Sequence, residues 1–254
     1  MSENSLDDII RDTTELVKQA AHPRTGMLKV SPEVMALFEG IAASPVGASS
    51  GDADAPIDTN RSVALADDLE GLEEQVRACT LCDLCKGRTQ TVFSDGSSAA
   101  DLVFVGEAPG ENEDKQGIPF CGRSGDLLTD IIVKGMKLRR EDVYICNVIK
   151  CRPPNNRDPL PAEKDSCEPY LVRQLELVKP KVICALGGHA AKTLLKTDES
   201  TGRLRGKWHF YHGIPLRVTY HPAYLLRSPG EKKKTWEDVQ EIMKVLSGEI
   251  TPTP

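Results

Sequence analysis

Apolar runs and amphipathic stretches alternate along the chain from residue 76 to its end. DLVFVGEAP (101–109) is an apolar run that breaks into a Pro/Gly turn, the pattern of a buried strand. SGDLLTDIIVKGM (124–136) carries its apolar residues at helical spacing, with Ser124 as the expected cap. DVYICNVIKC (142–151) predicts a second strand. PAEKDSCEPYLVRQLELV (161–178) opens a helix with Pro and acids in its first turn, where the helix dipole favours negative charge. KVICALGG (181–188) predicts a third strand, with HAAKTLL behind it as a helix. IPLRVTYHP (214–222) is the fourth, and TWEDVQEIMKVLSG closes the pattern as an amphipathic helix.

Strand and helix in alternation imply an α/β protein, a three-layer α/β/α sandwich around a central, mostly parallel four-stranded sheet. Ligands of such sheets bind beyond the carboxyl ends of the strands. That rule singles out the loops at 106–122, 147–157 and 221–227.

Upstream the pattern changes. SLDDIIRDTTELVKQA sets Leu6, Ile9, Ile10 and Leu16 near helical spacing, and ASPVGASSGDADAPIDTNRSVALA (43–66) has no sustained period. The organisation expected is an acidic arm with a helix (1–42), a flexible linker (43–70) and a folded domain (71–254). Charge divides at the same place. Residues 1–75 hold 15 acids and 5 bases, a net of −10, whereas 76–254 hold 23 acids and 27 bases, a net of +4. The overall −6 therefore does not argue against nucleic-acid binding by the folded part, because electrostatic attraction is local.

At 254 residues, with 39% apolar and 28% charged residues, the chain can bury a substantial core. No run approaches the roughly 18 apolar residues of a membrane helix, and MSENSLDDIIRDTTEL lacks the plan of a signal peptide. A cytoplasmic protein is expected. Its eight cysteines then read as metal ligands and core residues rather than disulfides.

The run ACTLCDLCKG places cysteines at 79, 82 and 85, like the start of a ferredoxin motif, but Thr89 stands where a fourth would fall. Cys79 and Cys82 form one C-x2-C pair. Cys151 ends a strand and Cys167 lies early in the following helix, so the four can surround either a [4Fe–4S] cluster or a zinc ion. Cys146 and Cys184 read as core, Cys121 as a small loop residue, and Cys85 as an alternative ligand or a free thiol.

The loop GEAPGENEDKQGIPFCG (106–122) matches neither a Walker A loop nor GxGxxG, and its four acids make a poor phosphate cradle. Glu107 and Glu113 suit acid/base work or the positioning of a water, whereas Glu111 and Asp114 read as solvated or capping acids. Phe120 offers an aromatic face. In TYHPAYLLRSPG, the proline fixes the backbone of His221 at the ligand-binding edge, with Leu225, Leu226 and Arg227 on the turn behind it.

GEAPGENED (106–114), ICNVIKCRPPNNRDP (145–159) and HPAYLLR (221–227), with the cysteines at 79, 82, 151 and 167, resemble the family 4 uracil-DNA glycosylases, the iron–sulfur members of their superfamily. The resemblance runs over about 76–240 in order and spacing. It implies the uracil-DNA glycosylase fold and a [4Fe–4S] cluster held by Cys79, Cys82, Cys151 and Cys167, with Cys85 matching no ligand. It implies that Asn147 pairs with uracil N3–H and O4, that Phe120 stacks on the base and that His221 donates to O2. Glu107 and Ala108 would handle water and sugar, with Glu113 a further pocket residue. Better-known superfamily members carry aspartate at the position of Ala108. Leu225 matches the wedge that fills the gap in the duplex, and Arg227, Arg152 and Arg157 are expected phosphate contacts.

The expected function is a monofunctional glycosylase acting on uracil in single- or double-stranded DNA. It would leave an abasic site as the first step of base excision repair. No lysine in these motifs suits a Schiff base. A monomer is expected, with the acidic arm as a tether for a repair or replication protein. The rivals are a non-catalytic uracil-DNA reader and a redox-responsive iron–sulfur DNA-binding protein.

Overall fold

The computed structural model describes residues 65–253. The expected arm, and all of the expected linker before residue 65, lie outside the described residues. Helix α1 (Leu69–Arg77) begins inside the last positions assigned to that linker, capped by Asp68, whose carboxylate accepts from Gly71 N at 2.8 Å. Leu72 and Val76 form its buried stripe, one turn apart.

The sheet holds six strands in the order β1-β3-β2-β4-β6-β5. Their ranges are β1 Asp95–Gly96, β2 Leu102–Gly106, β3 Tyr144–Asn147, β4 Val182–Leu186, β5 Trp208–Tyr211 and β6 Ile214–Thr219. The four strands read from the apolar runs are β2, β3, β4 and β6, and they form the parallel centre. The expected count of four is corrected by two short antiparallel edge strands, β1 on β3 and β5 on β6. The β5–β6 hairpin turns at His212 and Gly213, whose φ values of 48° and 80° match the left-handed pair of a two-residue turn.

Alternate residues of each strand feed two cores. On β2, Val103 and Val105 join the core shared with α1, and Leu102 and Phe104 join the other. The helices are α2 (Glu111–Gln116), α3 (Arg123–Asp130), α4 (Pro161–Val178), α5 (Gly188–Leu195), α6 (Thr201–Leu204), α7 (Pro222–Arg227) and α8 (Lys232–Leu246). The residue at the cap of α3 is Gly122, not Ser124, which lies inside the first turn. On α8, fully buried Asp238 accepts from Thr219 Oγ1 at 3.0 Å and Arg205 Nε at 3.0 Å, and lies 3.3 Å from Arg217 Nε. This buried charge cluster ties α8 to the end of β6.

The parallel pairing continues past the strand ends. Val148 N donates to Gly106 O at 3.0 Å, Ile149 N to Glu107 O at 2.9 Å, and Gly187 N to Thr219 O at 2.9 Å. The loops after β2, β3, β4 and β6 are thereby held together at one edge.

Candidate active site and cysteine cavity

Three side chains from three of these loops face one another. A Cβ built on Gly106 would stand 2.2 Å from Asn147 Oδ1 and 2.7 Å from Phe120 Cζ. The Phe120 and His221 rings lie 5.5 Å apart. A Cβ on Gly187 would meet His221 Cβ at 2.9 Å. Glycines at the ends of β2 and β4 thus leave room that any side chain would take from Asn147, Phe120 and His221.

Each of the three is fixed from behind. Phe120 has φ 53°, an unusual conformation for a non-glycine residue. Arg140 holds it there, donating to Pro119 O at 2.9 Å while pairing with Asp95 at 2.8 Å and Thr129 Oγ1 at 2.9 Å. Gly125 in α3 lets the loop pass, since a Cβ there would lie 1.6 Å from Phe120 O. Asn147 is buried, and its carbonyl accepts from the fully buried Lys150 Nζ at 2.6 Å. Lys150 Nζ also donates to Gln174, which in turn donates to Tyr144 OH at 2.8 Å.

His221 sits at the cap of α7, where Nδ1 accepts from Ala223 N at 3.0 Å. The proton of the neutral ring therefore belongs on Nε2. Burial, then Arg227 and His189, push this imidazole down to about 4, so it is uncharged near neutrality. A neutral ring whose Nδ1 is occupied offers its Nε2–H as a donor.

Glu107 is the residue after β2 and is partly buried. Its Oε1 is buried with no hydrogen-bond partner, and desolvation raises its carboxyl above the usual range. His189 Nδ1 stands 3.4 Å from this oxygen and 3.6 Å from Asp158 Oδ2. Neither His189 nor Asp158 is among the residues expected from the motifs. The signal for His189 was its position directly after LGG at a carboxyl strand end. Ala108 is half-buried beside Glu107, and the Glu113 carboxylate folds back over Gly110, 2.8 Å from where its Cβ would be. Asp114, expected to be solvated or capping, is buried and accepts from Thr89 N at 3.0 Å.

The expected DNA-contact residues separate. Arg227 is exposed on α7, and Arg152 bonds Asn156 Oδ1 at 2.8 Å near the surface. Arg157 is committed to the buried Glu163, with guanidinium–carboxylate contacts of 2.6 and 2.9 Å. Leu225, expected as the wedge, is 1% exposed and lines a cavity with Leu127 and Trp236. Tyr224 and Leu226, each 38% exposed, are outward apolar side chains of that helix.

A second site lies beneath the loop after β3. Cys79, Cys82, Cys151 and Cys167 line one small cavity of about 20 Å³ with Arg88, Tyr170 and Leu84. Cys85 lines it too. All are free thiols. Burial raises the Cys82 and Cys151 thiols and pushes Cys167 up to about 12, an expensive place for thiolates without a cation. Arg88 Nη1 lies 3.1 Å from Cys151 Sγ, and Lys150 N lies 3.4 Å from Cys167 Sγ, so donors already face two of the sulfurs. Among the described residues no three sulfurs lie within 4.8 Å of one another. A tetrahedral zinc site would bring its sulfurs to about 3.8 Å of each other. A set of four thiols can ligate either a polynuclear cluster or one zinc ion.

Residues 93–240 match the family model for the uracil DNA glycosylase superfamily. The type-4 uracil-DNA glycosylase of Saccharolobus solfataricus is 45% identical over 189 residues, 71% of this chain and 88% of that protein. The type-4 enzyme of Sulfurisphaera tokodaii is 43% identical over 194 residues, covering 73% and 87%. That of Archaeoglobus fulgidus is 42% identical over 193 residues, covering 73% and 96%. The chain belongs to the type-4 uracil-DNA glycosylases of the uracil DNA glycosylase superfamily.

Proposed function

We propose that this protein hydrolyses the N-glycosidic bond of uracil in DNA and leaves an abasic site, the opening step of base excision repair. One observation carries the reading: Asn147, Phe120 and His221 converge on the space kept open by Gly106 and Gly187. The base must leave the stack to reach it. Phe120 then stacks on the ring, and the Asn147 amide accepts from N3–H and donates to O4, a pairing that cytosine's edge would oppose. As the N1–C1′ bond breaks, its electron pair passes to uracil, and the His221 Nε2–H donates to O2 where negative charge gathers. Water adds to C1′, and Glu107 takes its proton, with Glu113 and the Ala108 backbone beside it. Lys150 is the lysine within the motifs. Its amine is turned to Asn147 O and Gln174 rather than to the pocket, which supports hydrolysis by water over a Schiff base.

A [4Fe–4S] cluster on Cys79, Cys82, Cys151 and Cys167 would clamp the segment after α1 to the loop after β3 and to α4; its contribution is structural. Arg227 and Arg152 suit phosphate contacts, and Leu226 takes over the wedge role expected of Leu225. The acidic arm serves as a tether to a repair or replication partner of a monomeric, cytoplasmic enzyme. Deleting residues 1–64 should abolish recruitment while leaving glycosylase activity intact; unchanged recruitment in cells would remove the tether.

The test is uracil release from a single-uracil oligonucleotide. Alkali-sensitive product from wild type and strongly reduced product from His221→Ala are expected. Tight binding without product would make the protein a uracil-DNA reader instead.

A further inference from the structure

The mechanism leaves Glu107 with an unexplained neighbour. His189 is the second residue of α5, and its imidazole reaches across the carboxyl edge of the sheet toward the end of β2. One ligand atom from each of Glu107, Asp158 and His189 lies within 4.8 Å of the other two. Glu107 Oε1 has no hydrogen-bond partner, and His189 Nδ1 stands 3.4 Å from it. His189 also acts electrostatically on His221.

We infer that His189 is a positioning residue for the reaction: its imidazole aims the Glu107 carboxylate at the attacking water and sets the pH range in which that carboxylate works. The inference rests on the reading of Glu107 as the water's partner. It acts through Glu107 and touches no reacting atom itself. At a side-chain exposure of 56%, His189 packs no core, which makes it separable from folding.

The charged groups facing Glu107 are His189 from α5, Asp158 from the loop after β3 and Lys164 from α4. Burial raises the carboxyl, His189 and Lys164 draw it back down, and Asp158 pushes it up. A base works ionised, so activity climbs with pH through this titration. Removing His189 takes away a lowering influence, and the acid limb must move to higher pH.

The experiment measures kcat and KM against pH on single-uracil DNA for wild type, His189→Asn, Glu107→Gln and the double variant, with the melting temperature of each. For His189→Asn the expected result is a kcat about tenfold lower on the acid limb, a deficit that shrinks as pH rises, and little change in KM. Its melting temperature stays at the wild-type value. The double variant should be no slower than Glu107→Gln alone, because the histidine has nothing left to aim. An equal fractional loss at every pH, additive losses in the double variant, or a raised KM with unchanged kcat each overturn the inference; the last would make His189 a phosphate contact. Active wild type with an unaltered His189→Asn profile defeats this inference alone. Wild type that releases no uracil at any pH defeats the functional reading with it.

Discussion

His221 is kept neutral by two independent arrangements. Desolvation, with Arg227 and His189 nearby, pushes the ring down to about 4, and the Ala223 amide occupies Nδ1. Removing a donor that meets developing negative charge should cost about 10²–10³ in kcat, so single-turnover release by His221→Ala is expected to fall by that factor with KM little changed. The same shift has a stability consequence. The folded ring titrates at about 4 against an ordinary value of 6.5, so the unfolded chain binds the extra proton first. The contribution is fully present above 6.5 and is lost as pH falls toward 4. Urea midpoints at pH 7 and pH 4 should drop further for wild type than for His221→Ala; equal drops would show that the ring is not buried as described. At this scale most of the candidate site's placement was legible, because His221, Asn147, Phe120 and Glu107 sit in loops that the strand-end rule singles out. His189 was not, since HAAKTLL reads as an ordinary helix, and nothing in the pattern marks its first turn as part of the same edge.

Elements decide which side of a residue is used, and here a short helix reverses an expectation. HPAYLLR suggests two equivalent leucines, but α7 turns Leu225 inward and Leu226 outward. Only a helix's phase against its neighbours separates adjacent apolar residues, and six residues are too few to reveal that phase in a sequence. Leu225→Ala should therefore destabilise by about 2–5 kcal/mol through the cavity it leaves, seen in denaturant melts. Leu226→Ala should leave stability within about 0.5 kcal/mol of wild type while slowing release from duplex more than from single-stranded DNA. The opposite pattern would return the wedge role to Leu225. A second contact between elements is equally specific. Gly125→Ala forces its Cβ against the Phe120 carbonyl, 1.6 Å away, and the loop must shift. Release should be nearly lost while far-UV circular dichroism stays native; a fully active variant would show that Phe120 does not set the pocket. The central strands were legible as apolar runs because parallel strands are buried on both faces. The edge strands were not: β1 is two residues long, and in β5 Trp208, His209 and Phe210 are only partly buried, which blurs the period.

Across the whole molecule, one residue bridges the cysteine cavity and the residue that would read the base. Lys150 N faces Cys167 Sγ at 3.4 Å, and its Nζ bonds Asn147 O at 2.6 Å, so the loop that would hold the cluster also carries the residue that would read uracil. Its aliphatic stem crosses fully buried ground between the two. Loss of metal should then cost more than stability. Cys167→Ala is expected to lose iron and lower the melting temperature, and any folded fraction should bind uracil-containing DNA more weakly as Asn147 loosens. Cys85→Ala is the informative control, because Cys85 lines the same cavity yet is partly exposed and matches no ligand of the family pattern. It should keep full iron content, the cluster's visible absorbance and wild-type release. Equal iron loss from the two variants would mean that five sulfurs compete for four positions and that the proposed ligand set is wrong. Iron loss from Cys167→Ala with unaltered uracil affinity in the folded fraction would instead confine the cluster to holding α1 and α4, with Lys150 a bridge that transmits nothing.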